Sequence, residues 1–142
     1  MKELKRPTKQ EEQIVQARCE GLSFCELDGL NERVAIDQIM FRGAAISGCA
    51  LPMTETFATF IAEEITAFIL NFGYGELTLE EFLLAMRLNA YGKIRNPAGE
   101  DFDQVNFSGN SINVVYLGKI LKNYMALRNN LDRKITNQLD GY

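Results

Sequence analysis

Glu81 is the one residue of a calcium-loop lookalike that could ligate the ion. It sits near the end of LNFGYGELTLEEF, Leu70 to Phe82, a stretch with the punctuation of a calcium-binding helix–loop–helix. With Glu81 in the last place of such a loop, Gly75 takes the turn glycine's place and Leu77 the apolar place. Calcium takes about six to eight oxygen ligands, and the loop must supply side-chain oxygens at its first, third and fifth places. Those places hold Leu70, Phe72 and Tyr74. Two of them carry no side-chain oxygen, and a neutral phenol is a poor substitute for a carboxylate. Calcium binding is therefore not expected. Thr78 and Glu81 instead form a capping box, and Gly73 and Gly75 bend the chain between two helices.

The other groupings that could do chemistry are incomplete. The chain has no histidine, which removes Ser/His/Asp and Cys/His catalysis and the usual zinc sites. The pairs Glu63-Glu64 and Glu80-Glu81 are of the kind found in di-iron helical bundles, but those need Glu-x-x-His partners. No phosphate-binding glycine loop occurs. The cysteines, Cys19, Cys25 and Cys49, form no C-x-x-C and read as reduced thiols; a Cys19–Cys25 disulfide across Gly21 has no support. Carboxylate-only acid–base catalysis is the enzymatic reading that remains, although glutamate pairs on helices are usually solvated. The expectation is a non-enzymatic protein with no cofactor and no metal.

Two further groups stand out. Glu64 falls within the helical arc of Phe57, Ile61 and Phe68. A buried charge needs a partner, so a buried ion pair of Glu64 with Arg87 is expected, with Arg42 as the alternative cation. A ligand contact or a position at the rim are the other readings of Glu64. Near the C-terminus, Lys119, Lys122, Arg128, Arg133 and Lys134 stand against only Asp132 and Asp140. They are the candidate contacts for nucleic-acid phosphate or for a partner, with a solvated helix surface as the plain reading.

The elements that must position these residues are helical. A capping box at Thr8 and Glu11 starts a helix from about Lys9 to Glu20. Asn31 is the expected N-cap of the next, NERVAIDQIMFRGAAIS, for which a short strand is the alternative. Thr54 caps ETFATFIAEEITAFILNF, whose stripe is Phe57, Phe60, Ile61, Ile65, Phe68 and Ile69. A helix over Leu79–Tyr91 follows, and the short connection suggests a central helical hairpin. Phe57, Phe60, Phe68, Phe72 and Phe82 are expected in or near one core. Residues 1–7 are expected to be mobile and 93–110 to be a long polar connection. A last long helix runs from Ile112 or Asn113 to about Gln138. Its stripe of Leu117, Ile120, Tyr124, Leu127 and Leu131 is close to a coiled-coil seam. Leu131, Ile135 and Leu139 are the candidate self-association residues. The fold expected is an all-α, single-domain helical bundle spanning residues 1–142.

Composition agrees with such a domain: 142 residues, 46% hydrophobic and a net charge of −4. The charge argues against a surface wholly given to nucleic acid, though not against a local basic face. No apolar run is long enough to span a membrane, and the charged N-terminus lacks a signal-peptide core. A cytoplasmic location is expected.

The runs LTLEEFLLAMRLNAYGKI and NVVYLGKILKNYMALRNNL carry a capped acidic helix ending in glycine, then a helix opening on Tyr116, Leu117, Gly118, Lys119, Ile120 and Leu121. Over about Thr54 to Leu131 this resembles small helical proteins of Bacteroidetes phages and prophages. A longer Gly/Asn-rich segment replaces the short aromatic-rich one usual before the last helix. The resemblance implies a phage-type context. Within it, the expected role is a helical interaction protein, an accessory factor in phage or mobile-element DNA replication; the alternative is a phage structural or assembly subunit. A protein partner is expected, with a homodimer and nucleic acid as further candidates and no membrane.

Overall fold

Helix signals written in short polar residues set most of the element boundaries. The computed structural model describes residues 8–91, 105 and 111–140, with side chains as far as 137. The expectations for residues 1–7, for nearly all of 93–110 and for the side chain of Leu139 fall outside the described residues. Five α-helices run in the order α1 (Lys9–Cys19), α2 (Gly29–Ser47), α3 (Glu55–Asn71), α4 (Leu79–Ala90) and α5 (Val114–Asp140), with a short 3-10 turn at Phe24–Glu26. The domain is all-α. None of the described helices is long and apolar enough to cross a membrane.

Reciprocal capping boxes open α1 at Thr8/Glu11 and α4 at Thr78/Glu81, and the Thr54 side chain accepts the Phe57 N–H to open α3. The second helix corrects its expected start. Asp28, not Asn31, is the cap: its carboxylate accepts the Asn31 N–H at 2.9 Å, which draws Gly29, Leu30 and Asn31 into the first turn. The last helix is capped by Asn113, whose Oδ1 accepts the N–H groups of Val115 and Tyr116.

Between α3 and α4, Gly73 at φ +88° turns the chain, a conformation that side chains resist. The backbone of the 3-10 turn then straps this bend: Phe24 N–H donates to Leu77 O at 3.0 Å and Cys25 N–H to Gly75 O at 2.9 Å. The helices α2 and α4 make the most extensive pair, and α4 takes that partner rather than its chain neighbour α3. They approach closely at Gly43, where an added Cβ would stand 2.8 Å from Met86 Sδ. Near the end of α4, the buried Asn89 side chain pairs with both backbone groups of Val105, at 2.8 and 2.9 Å.

The core runs through all five helices. Ile14 of α1, Ile36 and Ile39 of α2, Ile65 and Ile69 of α3, Phe82 and Met86 of α4, and Tyr116, Ile120 and Tyr124 of α5 are fully buried. The expected seam on α5 is buried at all five positions. The expected phenylalanine core is not. Phe82 is in it, packed edge-on against Phe24 with centroids 5.0 Å apart, and Phe68 packs against its margin. Phe57, Phe60 and Phe72 are exposed. The reason is the rotation of α3. Its isoleucines Ile61, Ile65 and Ile69, one turn apart, face the core with Ala62, and this turns the aromatic stripe outward.

Candidate functional site

Two features gather the residues with chemical potential. The first is a closed polar cluster between α4 and α5. Glu81 is wholly buried and both of its oxygens are engaged: Oε1 accepts the Thr78 N–H at 3.3 Å, and Oε2 accepts the Tyr124 hydroxyl at 2.7 Å and Arg128 Nε–H at 2.9 Å. The Thr78 hydroxyl accepts the Glu81 N–H and donates to Ala17 O at 2.7 Å, which ties the start of α4 to α1. Arg18 meets Asp132 at 2.6 Å on the partly exposed side of this cluster. Such a cluster can hold three helices in register. With its carboxylate fully subscribed and out of water, Glu81 is not placed to ligate an ion or to meet a substrate.

Three expectations are overturned here: the Glu64–Arg87 ion pair, the outward-facing Arg128 and the outward-facing Leu131. The buried acid is Glu81 rather than Glu64, and its cation is Arg128 rather than Arg87. Glu64 is exposed on the outward face of α3 and makes no ion pair with Arg87. Arg128, expected to face nucleic acid or a partner, is buried in that ion pair. The other basic candidates divide. Lys134 is 3.3 Å from Glu11, a surface pair between α5 and α1, while Lys119, Lys122 and Arg133 are exposed. Leu131, expected at a self-association surface, is buried within its own domain. Ile135 is exposed, and Leu139 lies beyond the described side chains.

Burial raises the Tyr124 pKa above its ordinary value, and the neighbouring Glu81 charge raises it further, with Arg128 acting in the opposite sense. The unfolded chain therefore loses the Tyr124 proton first, near the usual value of about 10. Below that pH the contribution of Tyr124 to stability is fully present; above it the unfolded state binds fewer protons and stability falls. Urea melts of the wild type and of Tyr124→Phe at rising pH should diverge above about pH 10, the wild type losing stability more steeply. Parallel curves would remove the buried phenol from the account.

The second feature is an open groove of about 740 Å³ between the start of α3 and the start of α5. Ala50, Leu51, Met53, Thr54, Phe57, Phe60, Ile61 and Glu64 line one side, and Ser111, Asn113 and Val114 the other. A single parallel backbone bridge between Ala50 and Ser111 joins the two sides. Met53 is 98% exposed, Phe57 53% and Phe60 58%. An isolated apolar side chain at the surface means little, whereas several lining one concavity make a candidate binding surface.

No family model, curated protein or solved structure matches the chain. The groove is mostly apolar. It carries no nucleophile–base pair among its lining residues, and Glu64 is its one charged group. Sequence reasoning missed the groove because it assigned Phe57 and Phe60 to the core. The signal that points to it is the pair of apolar stripes on α3, isoleucine at every fourth residue and aromatic beside it. A helix with apolar residues over so wide an arc covers more than one neighbour.

Proposed function

We propose that this protein is a non-enzymatic interaction module that docks another protein against the groove of Leu51, Met53, Phe57 and Phe60. The observation that carries the reading is the cluster of large apolar side chains left in water along one concavity. Large apolar side chains gathered in one concavity favour contact with a partner over exposure to water. The phage-type context implied by the resemblance over residues 54–131 accommodates an adaptor of this kind, as an accessory factor in DNA replication. Direct contact with DNA would fall to Lys119 and Lys122, exposed one turn apart on α5, and to Arg133.

The test places a photo-crosslinking phenylalanine analogue at position 57, or at exposed Gln13 on α1 as control, in the cells that make the protein. The reading expects one discrete adduct at position 57, digested by protease and resistant to nuclease, and none at position 13. A gel shift with single- and double-stranded DNA at about 0.15 M salt should show little binding, since three cations release few counterions. A strong shift lost on Lys119→Glu/Lys122→Glu, with no adduct at position 57, would replace the protein-docking reading with a DNA-binding one.

A further inference from the structure

The groove's charge specifies what it takes. From the geometry we infer that the occupant is an amphipathic helix of another protein, carrying a Lys or Arg that meets Glu64. This rests on the reading of the groove as a protein-docking face and adds the chemistry of the partner. Phe57, Phe60 and Glu64 follow one another at i, i+3 and i+7 along α3, a line of about 10 Å, or two helical turns. A helix laid beside that line presents apolar anchors at the same spacing, the arrangement by which helices bind grooves. An open groove with Met53 projecting at its rim suits a rod lying across it better than an enclosed small molecule.

The need for a cation follows from desolvation. Every charged residue of α3 is acidic, Glu55, Glu63 and Glu64, and all three are exposed. At the other end of the groove Ser111 and Asn113 are neutral. A helix that covers Phe57 and Phe60 also takes water from Glu64, and a carboxylate buried without a counter-charge is heavily penalised. An occupant with an apolar or acidic residue there is disfavoured, and one with Lys or Arg at that turn is selected. Glu64 thereby becomes the specificity element of the face, with Phe57 and Phe60 supplying the area.

A surface-displayed library of helical peptides of about 20 residues, long enough to hold a helix, tests this against the full chain. Wild type should enrich peptides with apolar residues at i, i+3 or i+4, and i+7, and a basic residue at one fixed position, favoured over acidic ones by about tenfold. Glu64→Lys should invert that preference. Phe57→Ser/Phe60→Ser, checked for an unchanged thermal melt, should abolish the enrichment. Enriched peptides with no charge preference, or a preference that Glu64→Lys leaves unmoved, overturn the inference while the docking face stands. No enrichment over the serine variant removes the docking face as well. Sedimentation equilibrium adds one more outcome: a wild-type dimer that dissociates in the serine variant makes a second copy the occupant and sinks the inference.

Discussion

Arg128→Met should destabilise the protein by about 3–5 kcal/mol, the loss expected when one partner of a buried ion pair is removed. Arg128 and Glu81 are both shielded from water and 2.9 Å apart. Without the guanidinium, Glu81 keeps only the Tyr124 hydroxyl and the Thr78 N–H against the cost of a buried charge. A loss of this size is a large fraction of a domain's whole stability. The double variant Glu81→Gln/Arg128→Met should recover most of it. With its amide oxygen in the capping box, as glutamate's is, glutamine places its NH2 where it donates to the Tyr124 hydroxyl oxygen, while methionine fills the space of the arginine stem. Urea melts of the two singles and the double give the coupling directly. If Arg128→Met costs less than about 1 kcal/mol, the value of an exposed pair, the cluster is open to water in solution and does not hold α4 to α5.

Much of this was legible in the sequence, and what was not has a common cause. Thr8, Thr54 and Thr78 announce helix starts because capping is local: a side chain meets a backbone group three residues on. The α5 seam was legible because its period is strict and the helix long. Glu81 took the capping role expected of it. Which acid is buried was not legible. Glu64 and Glu81 both neighbour apolar stripes, and the choice depends on the roll of α3 about its axis. That roll is decided by packing against α2 and α5, which the sequence of α3 does not contain. The same ambiguity misassigned Arg128, since a cation on an amphipathic helix looks the same facing phosphate or a distant glutamate. Asp28 was passed over for Asn31 because both are good caps and only the chain path from the 3-10 turn separates them.

The roll of α3 can be measured by comparing two phenylalanines. Phe82→Ala should cost about 3–5 kcal/mol. Its ring is fully buried and meets Phe24 edge-on at 5.0 Å, an arrangement that adds to the area term. For a chain of this length the midpoint of thermal unfolding should fall by roughly 10–15 °C. Phe57→Ala should change stability by no more than about 0.5 kcal/mol, as for other exposed positions. Phe68→Ala should fall between them. Its half-buried ring lies 3.7 Å from where a Cβ on Gly118 would stand and packs on Tyr74 with centroids 5.0 Å apart. This order sets the isoleucine stripe inward and the aromatic stripe outward, and the docking groove exists only under that arrangement. If Phe57→Ala proved as costly as Phe82→Ala, α3 would be rolled the other way in solution. Phe57 and Phe60 would then be core residues, Glu64 would return to the interior, and neither the groove nor a cation-bearing partner would have a surface to occupy.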